Sequence, residues 1–394
     1  MKELFDRVVD RSGTNAEKYA LRKKLFGTED VLPMWVADMD IETAPCVLDA
    51  VRRRAEHPIY GYEEMPQSAF EAQMAWMERR HGWRIEREWM AYSPSVVASI
   101  NVAIQAFTEP GDKIVVQPPV YFPFFTSIEN NGREAVTNPL KRTEGEYTFD
   151  FEDLRSKIDS KTKLLLLCSP HNPVGRVWRE EELRELAAIC SEHGIVVFAD
   201  EIHADLVFAP ARHVPFASLG EEARAICVTA MGPGKSFNVA GLAVSTVAIA
   251  DPLLRERFMR VHRSIHFAEG TVFAHAGFEA AYREGEAWLE ALLEHLRANR
   301  DRLQAWVDAH APSVTMRVPE GTYLAWLECG GMGLGGRQLR RFFIEEAKLG
   351  LSPGTTFGRE GAGFMRLNFA VPAPLMDEAI RRLEQAFSGR SGGF

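Results

Sequence analysis

The chain has 394 residues, of which 46% are hydrophobic, and its formal net charge is −9 at pH 7. This length exceeds one ordinary hydrophobic core, so it indicates two domains or one large α/β domain with an appendage. The acidic balance disfavours nucleic acid and anionic membranes as partners, and no run of about 18 apolar residues predicts a membrane span.

The amino terminus and the cysteines favour a cytoplasmic protein. The first 24 residues are charged and lack the apolar centre of a secretory signal. The five cysteines contain no CxxC pair, and Cys168, Cys190 and Cys227 lie in apolar stretches, which is typical of reduced core residues. The eleven histidines show no metal-ligand spacing, so we predict no metal site.

The middle of the chain has the pattern of an α/β protein. Short apolar runs occupy residues 113–116, 164–167, 195–199, 226–229 and 243–250. Residues 179–190 separate two of these runs and have the apolar spacing of a helix. Continuous apolar strands separated by helices predict a mostly parallel sheet covered by helices on both faces.

The pattern changes after residue 285. A long amphipathic helix is predicted around residues 288–307, and alternating strands are predicted at 314–318, 322–327 and 364–369. These elements indicate a smaller α+β domain. We therefore predict a large domain over residues 46–285 and a small domain over residues 286–394, which the segment 1–45 joins.

Three loops at predicted strand ends are unusually polar or rich in glycine. They are residues 169–175 (SPHNPVG), 200–203 (DEIH) and the stretch TAMGPGKSF at 229–237. In a parallel sheet, the loops at the carboxyl ends of the strands build the ligand site. We therefore expect the site to form where these loops meet.

The GKS triplet at residues 234–236 has two interpretations. It resembles the end of a nucleotide-binding P-loop, but the first glycine of that motif would fall on Thr229. In P-loop enzymes the acidic strand also follows the lysine, whereas the strand that ends at Asp200 precedes it. Both departures favour covalent chemistry at Lys235 over phosphate binding.

A desolvated lysine at a strand end is the residue type that forms Schiff bases with carbonyl compounds. A carboxylate such as Asp200 on a neighbouring strand can hold the protonated pyridine nitrogen of pyridoxal 5′-phosphate (PLP). The Asn172 amide can donate to the ring oxygen of PLP, and Tyr121 can stack on the ring, although Tyr121 also fits an aromatic cluster.

The chain resembles the fold-type I PLP enzymes of the class I/II aminotransferase superfamily, and most of all their cystathionine β-lyase (C–S lyase) branch. The resemblance extends over nearly the whole chain. It is carried by PMWVADMD from residue 33, YGY from 60, YSPSVV from 92, CSPHNPVGRVW from 168, ADEIHADLVF from 199, KSFNVAGL from 235, TYLAW from 322 and RLN from 366.

The resemblance implies a role for each cofactor-facing residue. Lys235 resembles the PLP lysine, Asp200 the partner of the pyridine nitrogen, and Asn172 a contact of the ring oxygen and the substrate carboxylate. His203 stands where many aminotransferases have a tyrosine that reaches the same ring oxygen, although a core histidine satisfied by the backbone is an alternative interpretation.

The remaining candidates concern the phosphate and the substrate. The turn Ser95, Val96 and Val97 resembles the phosphate-binding turn at a helix start, with Ser236 as a further contact. Tyr62 resembles a tyrosine that reaches the phosphate of the neighbouring subunit, which implies a homodimer. Arg366 resembles the arginine that binds the substrate α-carboxylate. Asp38 is a candidate either for substrate contact or for capping a turn.

The chain departs from the branch around the lysine. The branch usually has a hydroxyl residue one or three positions before the lysine, where this chain has Gly234 and Gly232. An arginine or glutamine is common eight positions after it, where this chain has Ala243. The resemblance therefore implies fewer side-chain donors for the phosphate.

The resemblance implies a lyase that releases a thiol, pyruvate and ammonia from an S-substituted L-cysteine. Transamination shares the steps up to removal of the α-proton and is the alternative. A specialised biosynthetic reaction, such as decarboxylation with oxidative deamination, is a further alternative. A regulatory role through a bound partner also stays open at this point.

Overall fold

The computed structural model describes residues 2–267 and 270–389. Its α-helices are α1 (Lys2–Asp6), α2 (Glu17–Ala20), α3 (Arg22–Phe26), α4 (Pro45–Glu56), α5 (Gln67–His81), α6 (Val96–Phe107), α7 (Pro123–Asn130), α8 (Phe151–Lys157), α9 (Glu180–Glu192), α10 (Glu221–Ala225), α11 (Pro233–Ser236), α12 (Pro252–Ile265), α13 (Val272–Glu284), α14 (Glu286–His310), α15 (Gly336–Arg341) and α16 (Ala373–Ser388).

The strands are mostly short. They are β1 (Leu32–Pro33), β2 (Met90–Ser93), β3 (Lys113–Val116), β4 (Glu134–Thr137), β5 (Lys141–Thr143), β6 (Glu146–Thr148), β7 (Thr162–Cys168), β8 (Val196–Asp200), β9 (Cys227–Met231), β10 (Ser245–Ala248), β11 (Thr315–Met316), β12 (Leu324–Glu328), β13 (Leu349–Gly350), β14 (Ser352–Pro353) and β15 (Phe364–Asn368).

A seven-stranded sheet forms the centre of the molecule, with the order β2-β10-β9-β8-β7-β3-β4. Its strands are parallel except β10, which runs antiparallel to both β2 and β9. The predicted mostly parallel sheet is therefore confirmed. Each of its five predicted strands overlaps one of β3, β7, β8, β9 and β10.

Helices cover both faces of this sheet. Successive side chains of a strand point to opposite faces, so the inner strands bury side chains on both sides. Leu164 and Leu166 of β7 pack on one face with residues of α6 and α12. Leu165 and Leu167 pack on the other face with residues of α9 and α13. This alternation explains why the strands read as continuous apolar runs in the sequence.

The parallel order brings the ends of three strands together. Cys168 at the end of β7 is level with Asp200 at the end of β8, and Asp200 is level with Ala230 of β9. The loops that follow these strands therefore meet at one edge of the sheet. This edge is where the polar loops were expected to build the site.

A second, antiparallel sheet has the order β11-β12-β15-β14. Helices α14 and α16 pack against each other beside it, with the rings of Trp306 and Phe387 5.3 Å apart. The amino-terminal β1 pairs in parallel with β13, so the start of the chain lies next to this part of the molecule.

Two predicted strands are shorter in the structure. The run 243–250 forms a strand only over Ser245–Ala248, because Ala243 adopts a left-handed backbone with φ 53°. The run 314–318 pairs only over Thr315–Met316. The strands β2 and β4 were not predicted, since four residues with mixed polarity give little periodicity.

The domain boundaries at residues 45 and 285 stay a prediction, and residues 390–394 of the proposed small domain lie outside the described residues. Across residues 2–267 and 270–389, no helix has both the length and the apolar character needed to cross a membrane. No group of three or more metal-ligating side chains occurs in the same ranges.

Candidate active site

A cavity of about 610 Å³ opens at the edge of the large sheet where the three polar loops meet. Its walls come from several distant parts of the chain. They include Glu17, Leu25, Phe26 and Trp35–Ala37 near the amino terminus, Pro94–Val97 at the start of α6, residues of the three loops, and Leu351–Pro353, Phe357 and Arg366 beside the small sheet.

Lys235 lies in the short helix α11, which follows β9 directly. Pro233 begins this helix, and Asn238, two residues beyond its end, adopts a left-handed backbone with φ 56° that does not continue the helix. The Lys235 Nζ atom donates a hydrogen bond to the main-chain oxygen of Ala37 at 2.5 Å. Burial lowers the pKa of Lys235 to about 8, and the charge of Arg366 acts in the same direction. The lysine is therefore partly neutral near neutral pH.

Asp200 ends β8 and is 4% exposed. Burial raises the pKa of its carboxyl to about 7, although Asp200 Oδ1 accepts a hydrogen bond from the Ile202 amide at 3.2 Å. The positive charge of Lys235 acts against this rise. A buried carboxyl of this kind stabilises a cation placed beside it.

Arg366 reaches the site from β15 of the small sheet. Its guanidinium donates to Asn172 Oδ1 at 3.0 Å and to the main-chain oxygen of Trp35 at 2.6 Å, and it lies 4.6 Å from the centre of the Phe357 ring. Burial lowers the pKa of Arg366 to about 10, which leaves it charged at neutral pH. The bond to its oxygen fixes the Asn172 amide, so the NH₂ group remains to donate.

His203 and Tyr121 also line the cavity. Burial and the charges of Lys235 and Arg366 hold the pKa of His203 well below its usual range, so the imidazole is neutral. Its Nδ1 atom is buried without a hydrogen-bond partner among the described residues. Tyr121 packs against Phe122 and Phe124, and burial raises its pKa to about 12.

The turn at residues 95–97 lies at the start of the twelve-residue helix α6. Ser95 is the N-cap, and its side chain accepts a hydrogen bond from the Ala98 amide at 3.1 Å. Ser95, Val96 and Val97 all line the cavity. A helix start that faces a cavity presents free amide groups and favours an anion there.

Three predicted site residues are not brought into this cavity. Ser236 is buried, and its hydroxyl donates to Asp205 Oδ2 at 3.0 Å. The Asp38 carboxylate pairs with Arg11 at 2.8 Å and with Lys18 at 3.2 Å. Within the described chain, Tyr62 is fully exposed.

The departures near the lysine have different structural causes. A Cβ atom at Gly232 would lie 3.0 Å from the Ser245 Cα, so a larger residue there requires the backbone at Ser245 to shift. At Gly234 a Cβ atom would have its first neighbour at 3.7 Å, which is an ordinary contact. Gly234 lines the cavity, and it could therefore carry a hydroxyl side chain.

The sequence does not predict the row of main-chain oxygens that borders the site. Four consecutive carbonyls, from Trp35 to Asp38, accept hydrogen bonds from side chains of the site and its support. Tyr323 donates to Ala37 O at 2.8 Å, so this oxygen serves both Tyr323 and Lys235. Carbonyl positions leave no signal in residue identity, although Tyr323 lies in the TYLAW motif.

The outer wall of the cavity was also not predicted. It is mostly apolar and includes Leu25, Phe26, Trp35, Leu351 and Phe357. The first three of these residues lie more than 300 positions before the last two in the sequence. The two groups meet because β1 pairs with β13. Their apolar character is indistinguishable from that of core residues before the fold is known.

The chain is similar to known proteins over nearly its whole length. A family model described as aminotransferase class I and II matches residues 29–383. The cystathionine β-lyase PatB of Bacillus subtilis (strain 168) is 41% identical over 385 residues, which is 98% of this chain and 100% of PatB.

Two solved structures have the same fold over almost the entire chain. Cystalysin from Treponema denticola, which contains a PLP cofactor, matches with a TM-score of 0.95 at 30% identity and covers 98% of each chain. The PLP-bound C–S lyase from Staphylococcus hominis matches with a TM-score of 0.89 at 30% identity and covers 98% of this chain and 99% of that one.

Proposed function

Because the chain belongs to the aminotransferase class I and II family, we propose that it is a PLP-dependent carbon–sulfur β-lyase. It converts an S-substituted L-cysteine and water into a thiol, pyruvate and ammonia. One observation carries this proposal: Lys235, Asp200 and Arg366 line a single cavity in a chain that is 41% identical to a cystathionine β-lyase.

The residues of the cavity fit PLP. The cofactor needs an amine for its aldehyde, an acid for its ring nitrogen and an anion site for its phosphate. Lys235, Asp200 and the start of α6 at Ser95 supply these three groups in one cavity. The buried Nδ1 of His203 and Nε of Arg366 have no partner among the described residues, which supports a polar ligand between them.

We propose that the following residues of this cavity would hold the cofactor. Lys235 would bind it covalently, Asp200 would pair with its ring nitrogen, and Asn172 and His203 would face its ring oxygen. Tyr121 would cover the ring, and Ser95, Val96 and Val97 would hold the phosphate. When bound, PLP supplies an electron sink that stabilises negative charge at the substrate α-carbon.

Arg366 and Asn172 orient the substrate. The guanidinium lies in the cavity wall with one nitrogen on Asn172 and one on Trp35, so its direction is fixed before any substrate arrives. Such a fork binds a carboxylate through two charge-assisted hydrogen bonds. The α-carboxylate is thereby held at a fixed distance from the Lys235 amine.

Lys235 is freed when the substrate amine takes its place on the cofactor, and its amine then removes the α-proton. Its pKa of about 8 leaves an appreciable neutral fraction at neutral pH, and a neutral amine has the lone pair that a base needs. Ala37 O accepts a hydrogen from Nζ, so the lone pair points away from that carbonyl. Loss of the proton to Nζ is followed by cleavage of the Cβ–S bond, and the sulfur leaves with the electron pair.

The apolar outer wall suits the leaving group. Leu25, Phe26, Leu351 and Phe357 offer a surface for a thiol substituent and exclude water from the proton on Nζ. Elimination leaves 2-aminoacrylate, with a double bond between Cα and Cβ, and this product takes up water to give pyruvate and ammonia, while the thiolate takes up a proton.

We also propose a homodimer in the cytoplasm. The exposed stretch that contains Ile59, Tyr60 and Tyr62 supports the dimer, since three large apolar or aromatic side chains are 67%, 56% and 108% exposed there. Five free cysteines, four of them buried, support a reducing compartment.

The experiment that tests the proposal is a product assay. The purified protein is incubated with PLP and S-ethyl-L-cysteine, and ethanethiol and pyruvate are quantified with and without an added keto acid. A lyase releases both products in equal amounts without the keto acid. Amino transfer that requires the keto acid, without thiol release, would instead identify an aminotransferase.

A further inference from the structure

A buried polar cluster, formed by Ser236, Asp205, Trp76 and His81, adjoins the helix that carries Lys235. Ser236 is 1% exposed, and its hydroxyl donates to Asp205 Oδ2 at 3.0 Å. Gly234 and Lys235 line the cavity, whereas Ser236 does not. The hydroxyl that follows the lysine is therefore directed into the protein rather than toward the cavity.

Asp205 is a buried carboxylate that collects donors from two elements. Its Oδ1 atom accepts from Trp76 Nε1 at 3.0 Å and from His81 Nε2 at 2.8 Å, and both residues belong to α5. Arg80 Nε lies 3.6 Å away. Ser236 supplies the third hydrogen bond, so Asp205 ties α5 to the helix that carries Lys235.

This carboxylate is charged in spite of its burial. Burial acts to raise the pKa of Asp205, but the hydrogen bond and charge of His81, the charge of Arg80 and the hydrogen bond of Trp76 outweigh it. The pKa therefore lies below its usual value. A buried charge with every oxygen satisfied makes a rigid anchor, because moving any donor away would leave it uncompensated.

The helix α11 needs such an anchor. It has only four residues, and the glycines at 232 and 234 give it little conformational preference of its own. Neighbouring residues of a helix point about 100° apart, so fixing the direction of Ser236 also fixes that of Lys235. On the other side, Asn238 binds the main-chain oxygens of Met39 and Ile41.

We propose that Asp205 is a positioning residue for Lys235 and acts through the Ser236 hydroxyl. This inference rests on the proposed function, since it gives Lys235 the catalytic role. It also separates two roles for Ser236. As a phosphate contact, Ser236 would act on cofactor affinity; as a link to Asp205, it acts on how the Lys235 amine is presented.

The test compares Ser236→Ala, Asp205→Asn and the double variant in the full-length protein. The first readout needs no substrate: PLP is added to cofactor-stripped protein, and the rate at which its protein-bound absorbance develops is measured. We expect both single variants to slow this rate about tenfold, which is the scale of one hydrogen bond to a charged group. The dissociation constant of PLP should stay within about twofold, because binding and release slow together.

The second readout is turnover with α-deuterated S-ethyl-L-cysteine. Misplacement of Lys235 slows proton removal, so kcat should fall about tenfold with little change in KM, and the deuterium isotope effect on kcat should rise. A loss of stability alone would lower the active fraction and leave the isotope effect unchanged. The double variant should be no slower than Asp205→Asn, because both changes break one link.

Two further variants complete the experiment. Ser236→Thr keeps a hydroxyl at this position, so both the rate of PLP binding and kcat should stay close to those of the wild type. If Asp205→Asn does not fold, the comparison of Ser236→Thr with Ser236→Ala tests the inference. Ser127→Ala removes another buried hydroxyl, outside the cavity, and should leave both readouts unchanged. Weaker PLP binding in Ser236→Ala with an unchanged isotope effect, or additive losses in the double variant, would overturn the inference.

The wild-type protein tests the proposed function, and its comparison with Ser236→Ala tests the positioning role of Asp205. If the wild-type protein develops no PLP absorbance and releases no thiol, the proposed function is wrong. If the wild type does both and Ser236→Ala behaves like the wild type, only the positioning role of Asp205 is wrong.

Discussion

Arg366 on the small sheet donates a hydrogen bond to Asn172 Oδ1, 3.0 Å away, in the loop that follows β7 of the large sheet. This bond joins the two sheets at the wall of the cavity. Since the proposed substrate carboxylate would bind between the same two side chains, substrate binding and the contact between the sheets depend on one arginine.

Replacing Arg366 with alanine should separate substrate binding from cofactor binding. The loss of two charge-assisted hydrogen bonds, each worth about 1.5–3 kcal/mol, should raise KM for the amino acid by at least about 100-fold. PLP should remain bound, which its absorbance reports. Arg366→Lys keeps the charge without the planar fork and should be intermediate. Unchanged turnover in Arg366→Ala would remove this residue from the substrate site.

The burial of Lys235 predicts a pH-dependent cost to stability in the cofactor-stripped protein. Its pKa falls from 10.5 in the unfolded chain to about 8 in the folded one. Below pH 8 the amine is charged in both the folded and the unfolded state, so its burial lowers the free energy of unfolding by the full amount. This destabilisation decreases between pH 8 and 10.5. Lys235→Met should therefore stabilise the protein by up to about 3 kcal/mol at pH 7, and by much less above pH 10.5.

Urea unfolding at pH 7 and pH 10.5 measures this difference. Lys161→Met changes an exposed lysine and serves as the matched control, with no pH-dependent gain expected. An equal effect of Lys235→Met at both pH values would mean that the lysine is not desolvated in the folded chain.

A hydroxyl at position 234 should strengthen cofactor binding. Gly234 lines the cavity and has room for a Cβ atom, so Gly234→Ser adds a donor to the cavity without a clash. One added charge-assisted hydrogen bond should lower the dissociation constant of PLP by about tenfold or more, with the same products.

Gly232→Ser is the contrasting variant for this prediction. Its Cβ atom would lie 3.0 Å from the Ser245 main chain, so it should destabilise the fold rather than improve PLP binding. Fluorescence titration with PLP and thermal unfolding compare the two variants. No gain in affinity for Gly234→Ser would place the phosphate elsewhere in the cavity.

The proposed homodimer predicts complementation between inactive variants. Tyr62 is fully exposed in the single chain, and we propose that it reaches the phosphate in the other subunit. A mixture of Lys235→Ala and Tyr62→Ala subunits should regain up to about a quarter of wild-type activity, since random pairing makes half of the dimers hybrids with one intact site. Persistent inactivity in spite of demonstrated subunit exchange would show that Tyr62 does not act across an interface.

Much of the fold and the centre of the site could be predicted from sequence because both follow from local patterns. The continuous apolar runs predicted strands buried on both faces, and the polar loops after β7, β8 and β9 carry Asn172, Asp200 and Lys235. Parallel strands bring such loops to one edge, so the position of these residues followed from topology.

The rest depended on side-chain direction and on contacts between distant segments. Ser236 adjoins the lysine in sequence, yet its hydroxyl binds Asp205, because neighbouring residues of a helix face different directions. The sequence supports two interpretations of Asp38, and the structure pairs its carboxylate with Arg11 and Lys18. The carbonyl of Ala37 gives no sequence signal at all.

Mass spectrometry measures whether Lys235 binds PLP covalently, on which the proposed chemistry of the site depends. The full-length protein is incubated with PLP, reduced with borohydride and digested, and the modified peptide is sequenced. We expect one pyridoxyl group per chain, located on Lys235, and none on this peptide in Lys235→Ala. An adduct on another lysine, or no adduct together with binding and hydrolysis of ATP, would contradict this expectation.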